Sequence, residues 1–152
     1  MTELSDCKLT IQFDFAGMNG SCMTVTIEES QQLSVLTPGT SGLYLWEKNI
    51  RLPTNINLTF SGKNMMTDTV CDDSGNITKD KCVIIKRIML DRFQVDSYYL
   101  EKRLTLHETG SARINRSNYI GFNGTMTIAL DCHNVFFQIQ KMSRMGKFDH
   151  VQ

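Results

Sequence analysis

Apolar and polar residues alternate along much of this chain with a period of two. The segments 8–15, 23–28, 56–60 and 125–130 each place an apolar residue at every second position. This period is typical of β-strands that bury one face. The turn sequence Gly17-Met18-Asn19-Gly20 joins the first two segments. The pattern therefore predicts that segments 8–15 and 23–28 form a hairpin.

Two further segments predict specific elements. Residues 82–90 are apolar except for Lys86-Arg87, which is typical of a central strand buried on both faces along most of its length. Asp73-Ser74-Gly75-Asn76 predicts the tip of a hairpin within the polar stretch 62–80.

Short helices are predicted only late in the chain. Asp96 is suited to cap a helix that buries Tyr99, Leu100 and Leu104, and Asn134 is suited to cap a second one. The remaining pattern gives about eight to ten short strands with turn signals between them. We therefore predict an all-β fold, an antiparallel β-sandwich or jelly roll with one or two short helices.

The domain organisation follows from chain length and composition. The chain has 152 residues, which suits one domain. We predict a single β-sandwich domain over residues 5–145 and a flexible C-terminal tail over residues 146–152. Five widely spaced cysteines with no Cys-x-x-Cys pair predict thiols rather than a zinc site.

The charge balance and the distribution of apolar residues limit the classes of binding partner that we expect. Lysines plus arginines number 16, as do aspartates plus glutamates, so the formal net charge is zero. A nucleic-acid partner is not expected, because binding phosphates requires a basic face. No apolar run is long enough for a membrane span, and the polar start lacks a signal peptide. Synthesis in a cytoplasm is therefore expected.

An acidic loop is the first candidate site. Its four aspartates are Asp68, Asp72, Asp73 and Asp80. Carboxylate oxygens on a flexible loop are suitable calcium ligands, so calcium is the one cofactor this chain suggests. The spacing does not match an EF-hand, and neighbouring lysines would partly neutralise the charge. The alternative is a solvated hairpin stabilised by Asx turns.

Aromatic residues are the second candidate site. Tyr44 and Trp46 share one face of a predicted strand, opposite Leu43 and Leu45. If that face is exposed, Tyr98 and Tyr119 are expected to join it as a ligand-binding surface, because flat aromatic rings stack on sugars and anchor protein interfaces. The alternative is that Tyr44 and Trp46 belong to a second core face of the sandwich.

The segment Asn55–Leu90 carries a family resemblance. It reads as a strand (Asn-Ile-Asn-Leu-Thr-Phe-Ser-Gly-Lys), an acidic loop, and a second strand that ends in Leu-Asp. This arrangement resembles the calcium-dependent carbohydrate-binding modules with a jelly-roll fold. The resemblance implies that Asp68, Asp72 and Asp73 hold calcium and that the calcium binds sugar hydroxyls.

A second resemblance lies in Ser117-Asn118-Tyr119-Ile120-Gly121-Phe122-Asn123-Gly124. Together with the acidic loop, it is similar to small accessory proteins of tailed bacteriophages. In that family, sandwich domains decorate capsids, necks or fibres. The resemblance implies a virion protein made in the host cytoplasm, with other protein subunits, in a homo-oligomer or a particle, as its partners.

Three functions follow as hypotheses. The first is a non-enzymatic structural protein of a phage virion. The second is a carbohydrate-binding module that uses the acidic loop and the Tyr44–Trp46 face. The third is an enzyme, although no nucleophile motif or phosphate-binding loop occurs. Its best form would be a carboxylate pair such as Asp72 with Asp91.

Overall fold

The fold is known from a computed structural model, which describes residues 5–18 and 22–131. These residues form thirteen strands and one helix. The strands are β1 Ser5–Ala16, β2 Thr24–Glu29, β3 Gln32–Leu36, β4 Gly42–Leu52, β5 Thr54–Ser61, β6 Thr69–Cys71, β7 Ile77–Asp80, β8 Cys82–Leu90, β9 Phe93–Gln94, β10 Thr105–Glu108, β11 Ile114–Arg116, β12 Tyr119–Ile120 and β13 Gly124–Leu130. The helix is α1 Ser97–Lys102.

The strands form two main sheets and one hairpin. The first sheet has the order β12-β8-β1-β4, with β9 also paired to β8. The second sheet has the order β11-β10-β13-β5-β2-β3, and β6 with β7 makes a separate hairpin. All of these pairs are antiparallel. The predicted all-β, antiparallel sandwich is confirmed.

The core combines one apolar face from each sheet. In β1, every second residue from Leu9 to Phe15 is fully buried. In the second sheet, β5 and β13 contribute Ile56, Leu58, Phe60, Met126, Ile128 and Leu130. Burying a side chain of this size contributes about 1.5–3 kcal/mol. The period-two pattern of the sequence is therefore the pattern of core contacts.

The predicted hairpin between segments 8–15 and 23–28 is wrong. Strand β1 pairs with β4 and β8, whereas β2 pairs with β3 and β5 in the other sheet. Two strands with one apolar face each can bury those faces side by side or face to face. Residues 17–23 are enough to cross the roughly 10 Å between packed sheets. The alternation is identical in both arrangements, so it could not distinguish them.

Strand β8 contains a bulge that explains its mixed sequence. Its pairing with β1 runs from Gln12 opposite Arg87 to Phe13 opposite Ile85, so Lys86 has no opposite residue. A bulge shifts the side-chain phase by one. Consequently, from Val83 onwards, the buried residues are odd-numbered before Lys86 and even-numbered after it. The opposite face of β8 is buried only at Cys82 and is half-buried or exposed from Ile84 to Met89, so the prediction of burial on both faces is wrong for most of that face.

The predicted first helix is confirmed. The Asp96 side chain accepts a hydrogen bond from the backbone N–H of Tyr98 at 3.1 Å, as an N-cap does. Leu100 and Leu104 are buried. The helix predicted after Asn134 and the tail 146–152 lie outside the described residues. Within the described part of the chain, no helix has the length and apolar character to cross a membrane.

Gly17, the first residue after β1, combines a left-handed backbone conformation with a close contact to the backbone of Asp80. Its φ is +73°, and a Cβ there would lie 2.3 Å from the Asp80 carbonyl oxygen. We expect Gly17→Ala to lower the free energy of unfolding by about 2 kcal/mol or more, from left-handed backbone strain and the clash. Urea unfolding checks this. The control is Gly39→Ala, which has open space around it, and an equal effect of both variants would contradict the prediction.

Candidate functional site

The predicted Tyr44–Trp46 surface belongs to the core. Trp46 lies opposite Ile11 and is only 8% exposed. Tyr44 packs edge-on against Phe15, with the ring centroids 5.5 Å apart. The exposed-face prediction is therefore wrong for Trp46, whereas Tyr44 is half-buried and packs against the core, as the alternative of a second core face describes. The sequence showed which residues share a face of β4 but not which face meets the core.

The two other predicted aromatics sit on different elements. Tyr98, in α1, is 41% exposed and has the Arg103 guanidinium 5.8 Å from its ring centroid. Tyr119, in β12, is 38% exposed and donates its hydroxyl hydrogen bond to Asp80. The four aromatics are thus divided among the core, α1 and β12, and do not make one platform.

The tip of the acidic loop is a solvated turn. Asp72 Oδ1 accepts hydrogen bonds from the backbone N–H groups of Ser74 and Asn76, each at 2.9 Å. These bonds, with that from Asn76 the strongest, hold the pKa of Asp72 below its usual value. Asp73 is exposed beside it. This part of the loop matches the Asx-turn alternative.

The base of the loop is an ion-paired network. Asp80 Oδ1 lies 2.5 Å from Lys63 Nζ and 2.7 Å from Thr69 Oγ1, and Oδ2 accepts from Tyr119. Asp68 Oδ2 lies 3.2 Å from Lys81 Nζ. The Lys63 side chain is 1% exposed. Lys63 and Lys81 thus form specific ion pairs with Asp80 and Asp68, beyond the partial neutralisation of charge that the sequence predicts.

These contacts control the ionisation of the carboxylates. Burial alone would raise the pKa of Asp80, but hydrogen bonds from Lys63, Tyr119 and Thr69 outweigh it and hold the pKa below its usual value. The pKa of Asp68 is lowered mainly by the backbone N–H of Asn64 and then by Lys81. Burial and the hydrogen bond to Asp80 raise the pKa of the Tyr119 hydroxyl. Near neutral pH, Asp68 and Asp80 are therefore ionised and the Tyr119 hydroxyl is neutral.

The four aspartates do not converge on one point. Among residues 5–18 and 22–131, no three His, Cys, Asp or Glu side chains are grouped so that they could hold a metal ion. Asp68 and Asp80 instead accept from lysines, and Asp72 accepts from its own turn. The structure therefore does not bring the predicted calcium ligands together.

The network joins three parts of the chain. Lys63 follows β5, Asp80 ends the β6–β7 hairpin, and Lys63 Nζ also donates to the Gly121 carbonyl oxygen at 2.5 Å. The backbone of Lys63 exchanges two hydrogen bonds with the Asn123 side chain, at 2.9 and 2.8 Å. The network therefore fixes the β6–β7 hairpin and the β12–β13 connection onto the sandwich.

A charged cleft of about 630 Å³ lies where β1 and β4 meet the end of β2. Its cations are paired with acidic residues. The pairs are Lys48 with Glu29 at 2.9 Å, Arg51 with Asp6 at 3.1 Å, and Lys8 with Glu47 at 3.5 Å. Asp91, which the enzyme hypothesis pairs with Asp72, lines this cleft, whereas Asp72 lies at the hairpin tip. The structure does not bring those two together.

The most distinctive surface is one lateral side of the sandwich. Strand β3 ends one sheet and strand β4 ends the other, and among the described residues each pairs with one neighbour only. Their outward side chains are aliphatic and 60–66% exposed: Leu33, Val35, Leu43 and Leu45. No charged residue occurs between Glu29 and Glu47. We call the segments Gln32–Leu36 and Gly42–Trp46 together the β3–β4 side.

The β3–β4 side lacks the usual protection of sheet edges. Natural edge strands are commonly blocked by charged side chains, proline or bulges, because their outward N–H and C=O groups can pair with another chain. Neither strand segment of this side contains a charge or a proline. Sequence reasoning missed this surface because it placed the leucines inward. The long uncharged stretch was the available signal.

Comparison with known proteins finds no matching family model, curated protein or solved structure for this chain.

The buried ion pair predicts a large effect of removing one partner. We expect Lys63→Met to lower the free energy of unfolding by about 3 kcal/mol, because it leaves the Asp80 carboxylate buried without its cation. Chemical denaturation measures this. Lys79→Met is the matched control, since Lys79 is exposed on the β6–β7 hairpin that carries Asp80. Equal stability of the two variants would show that the network does not hold the hairpin.

The lowered pKa values predict acid sensitivity. A carboxylate whose folded pKa is depressed stabilises the fold above its unfolded pKa, which is 3.8 for Asp80, and loses that contribution as pH falls through the folded value. We therefore expect the melting temperature to decrease when the pH is lowered below about 4. Asp80→Asn should melt lower at neutral pH and show a flatter acid slope. An unchanged slope would exclude Asp80 as a source of the acid transition.

Proposed function

We propose that this protein is a non-enzymatic structural subunit that binds other protein subunits through the β3–β4 side, as part of a tailed-phage virion. The observation that carries the proposal is the pair of uncharged edge segments, Gln32–Leu36 in one sheet and Gly42–Trp46 in the other, joined by one short connection. Assembly at this side is the function that the arrangement of edges and aliphatic side chains supports best.

The physical gain from association is twofold. Edge N–H and C=O groups that face water can instead form the regular ladder of an extended sheet. The exposed aliphatic side chains also gain contacts across the new strand pairs, and each such cross-strand pair is worth about 0.2–1 kcal/mol. An edge of this kind gives affinity without a pocket.

The charge distribution favours association as well. The net charge is zero, so subunits of this protein repel each other little near neutral pH. The cations of the charged cleft and of the acidic loop base are paired within the chain. Because the segments Gln32–Leu36 and Gly42–Trp46 contain no charged residue, the β3–β4 side can dehydrate without burying a charge.

The virion setting is supported by the sequence resemblance at Ser117–Gly124 to phage accessory proteins. Glycan binding, with or without calcium, stays a prediction. The aromatic groups it would use on the surface are Tyr98 and Tyr119, since Trp46 lies in the core and the half-buried Tyr44 packs against it. We therefore place assembly first.

The virion proposal is tested on particles. We expect the chain, at 17.3 kDa, to be present in stoichiometric amounts when particles from its natural source are purified and analysed by mass spectrometry. Leu45→Glu, which places a charge on the β3–β4 side, should remove it from the particles. Ile77→Glu is the control, because Ile77 is a similarly exposed aliphatic residue, 59% against 60%, on another strand. Particles without the chain would contradict the virion setting.

A further inference from the structure

The two edge segments of the β3–β4 side lie on either side of one connection. Strand β3, Gln32–Leu36, has five residues with Ser34 at its centre, and Gly42–Trp46, the uncharged first part of the eleven-residue β4, has Tyr44 at its centre. The connection 37–41 joins Leu36 to Gly42, so each centre lies two residues from the same turn. Ser34 and Tyr44 are therefore equally far along the chain from that connection, one in each sheet.

From this geometry we infer that the β3–β4 side binds a second copy of this chain about a two-fold axis that passes near Ser34 and Tyr44. The inference rests on the proposed function and names its partner. In the dimer, β3 pairs antiparallel with β3 of the second copy, and β4 with β4. Both sheets then continue from one copy into the other, which a single symmetry axis allows because both centres lie on it.

Side-chain register supports pairing centred on Tyr44. In antiparallel pairs, opposite residues share a face of the sheet. A two-fold axis at Tyr44 sets Leu43 opposite Leu45 of the second copy, and Leu45 opposite its Leu43. An axis at Ser34 likewise sets Leu33 opposite Val35. All of the exposed aliphatic residues of this side then contact aliphatic residues, on the outer face of each sheet.

Other centres of pairing along β4 are less favourable. An axis at Glu47 would set the two Glu47 side chains opposite each other, and like charges in that position are destabilising. An axis at Asn49 would pair Glu47 with Arg51 but would leave Leu43 and Leu45 beyond the paired region. Only the centre at Tyr44 combines apolar contacts in β4 with the matching centre in β3.

The first experiment measures mass in solution by sedimentation or light scattering over a range of concentrations. We expect the full chain to reach twice its mass of 17.3 kDa and no more, because a two-fold contact is closed. Leu45→Glu and, separately, Leu43→Lys should each weaken dimerisation about ten-fold or more, since each puts a charge against leucine at two symmetric places. Ile77→Glu should leave it unchanged.

The second experiment tests the register. When Leu43→Lys and Leu45→Glu proteins are mixed, Lys at 43 of one chain faces Glu at 45 of the other, and the remaining leucines face each other. The mixture should dimerise at least ten-fold more tightly than either variant alone. No gain on mixing would overturn the register. Val35→Glu provides a second disruptive variant in β3, and circular dichroism confirms that each variant is folded.

The outcomes separate the two proposals. A full chain that stays at 17.3 kDa at every concentration overturns self-pairing, and so does a dimer insensitive to Leu45→Glu. The latter result includes the case in which another segment of the chain covers the edge. If a monomeric chain is still found in particles, the structural function stands with a different partner. If a dimer with the predicted register is absent from particles, the self-pairing stands and the virion setting fails.

Discussion

The structure depends on the burial of one face of β1 between the two sheets. Strand β1 is paired on both edges, with β4 and β8, and its inward residues from Leu9 to Phe15 are fully buried. Because the register with β4 sets Ile11 opposite Trp46, the even-numbered residues of β4 must also face inward. The outward position of Leu43 and Leu45 follows from that register. The exposed aliphatic side is therefore a direct result of how the core is filled.

The Lys63–Asp80 pair performs a different task from the apolar core. Burying two charges costs desolvation energy, and a pair of this kind is weak evidence for net stability. Its geometry nevertheless specifies one arrangement, because Asp80 accepts from Lys63, Thr69 and Tyr119 together. The β6–β7 hairpin has exposed side chains at most positions and little apolar area with which to dock. We therefore assign its placement mainly to this polar network.

The sequence predicted the positions of the strands and the helix better than it predicted which strands pair. Alternation located β1, β2, β5 and β13, and the Asp96 cap located α1, because these signals are local. Pairing is not local, so the crossing from β1 to β2 and the bulge at Lys86 could not be read from the pattern. The same limit applies to the site. The sequence of an acidic cluster does not show whether its carboxylates bind a metal ion, form a solvated turn or, like Asp68 and Asp80, pair with lysines.

The outer face of β4 distinguishes a structural cause from a functional one. Along one face of one strand, the residues change from Leu43 and Leu45 to Glu47, Asn49 and Arg51, and all are exposed. Polar side chains are therefore compatible with this face, and the core does not require leucine there. The charged half also carries the protection expected of an edge strand. The apolar half lies next to the equally uncharged edge of β3. The contact that we propose at the β3–β4 side accounts for this difference between the two halves of β4.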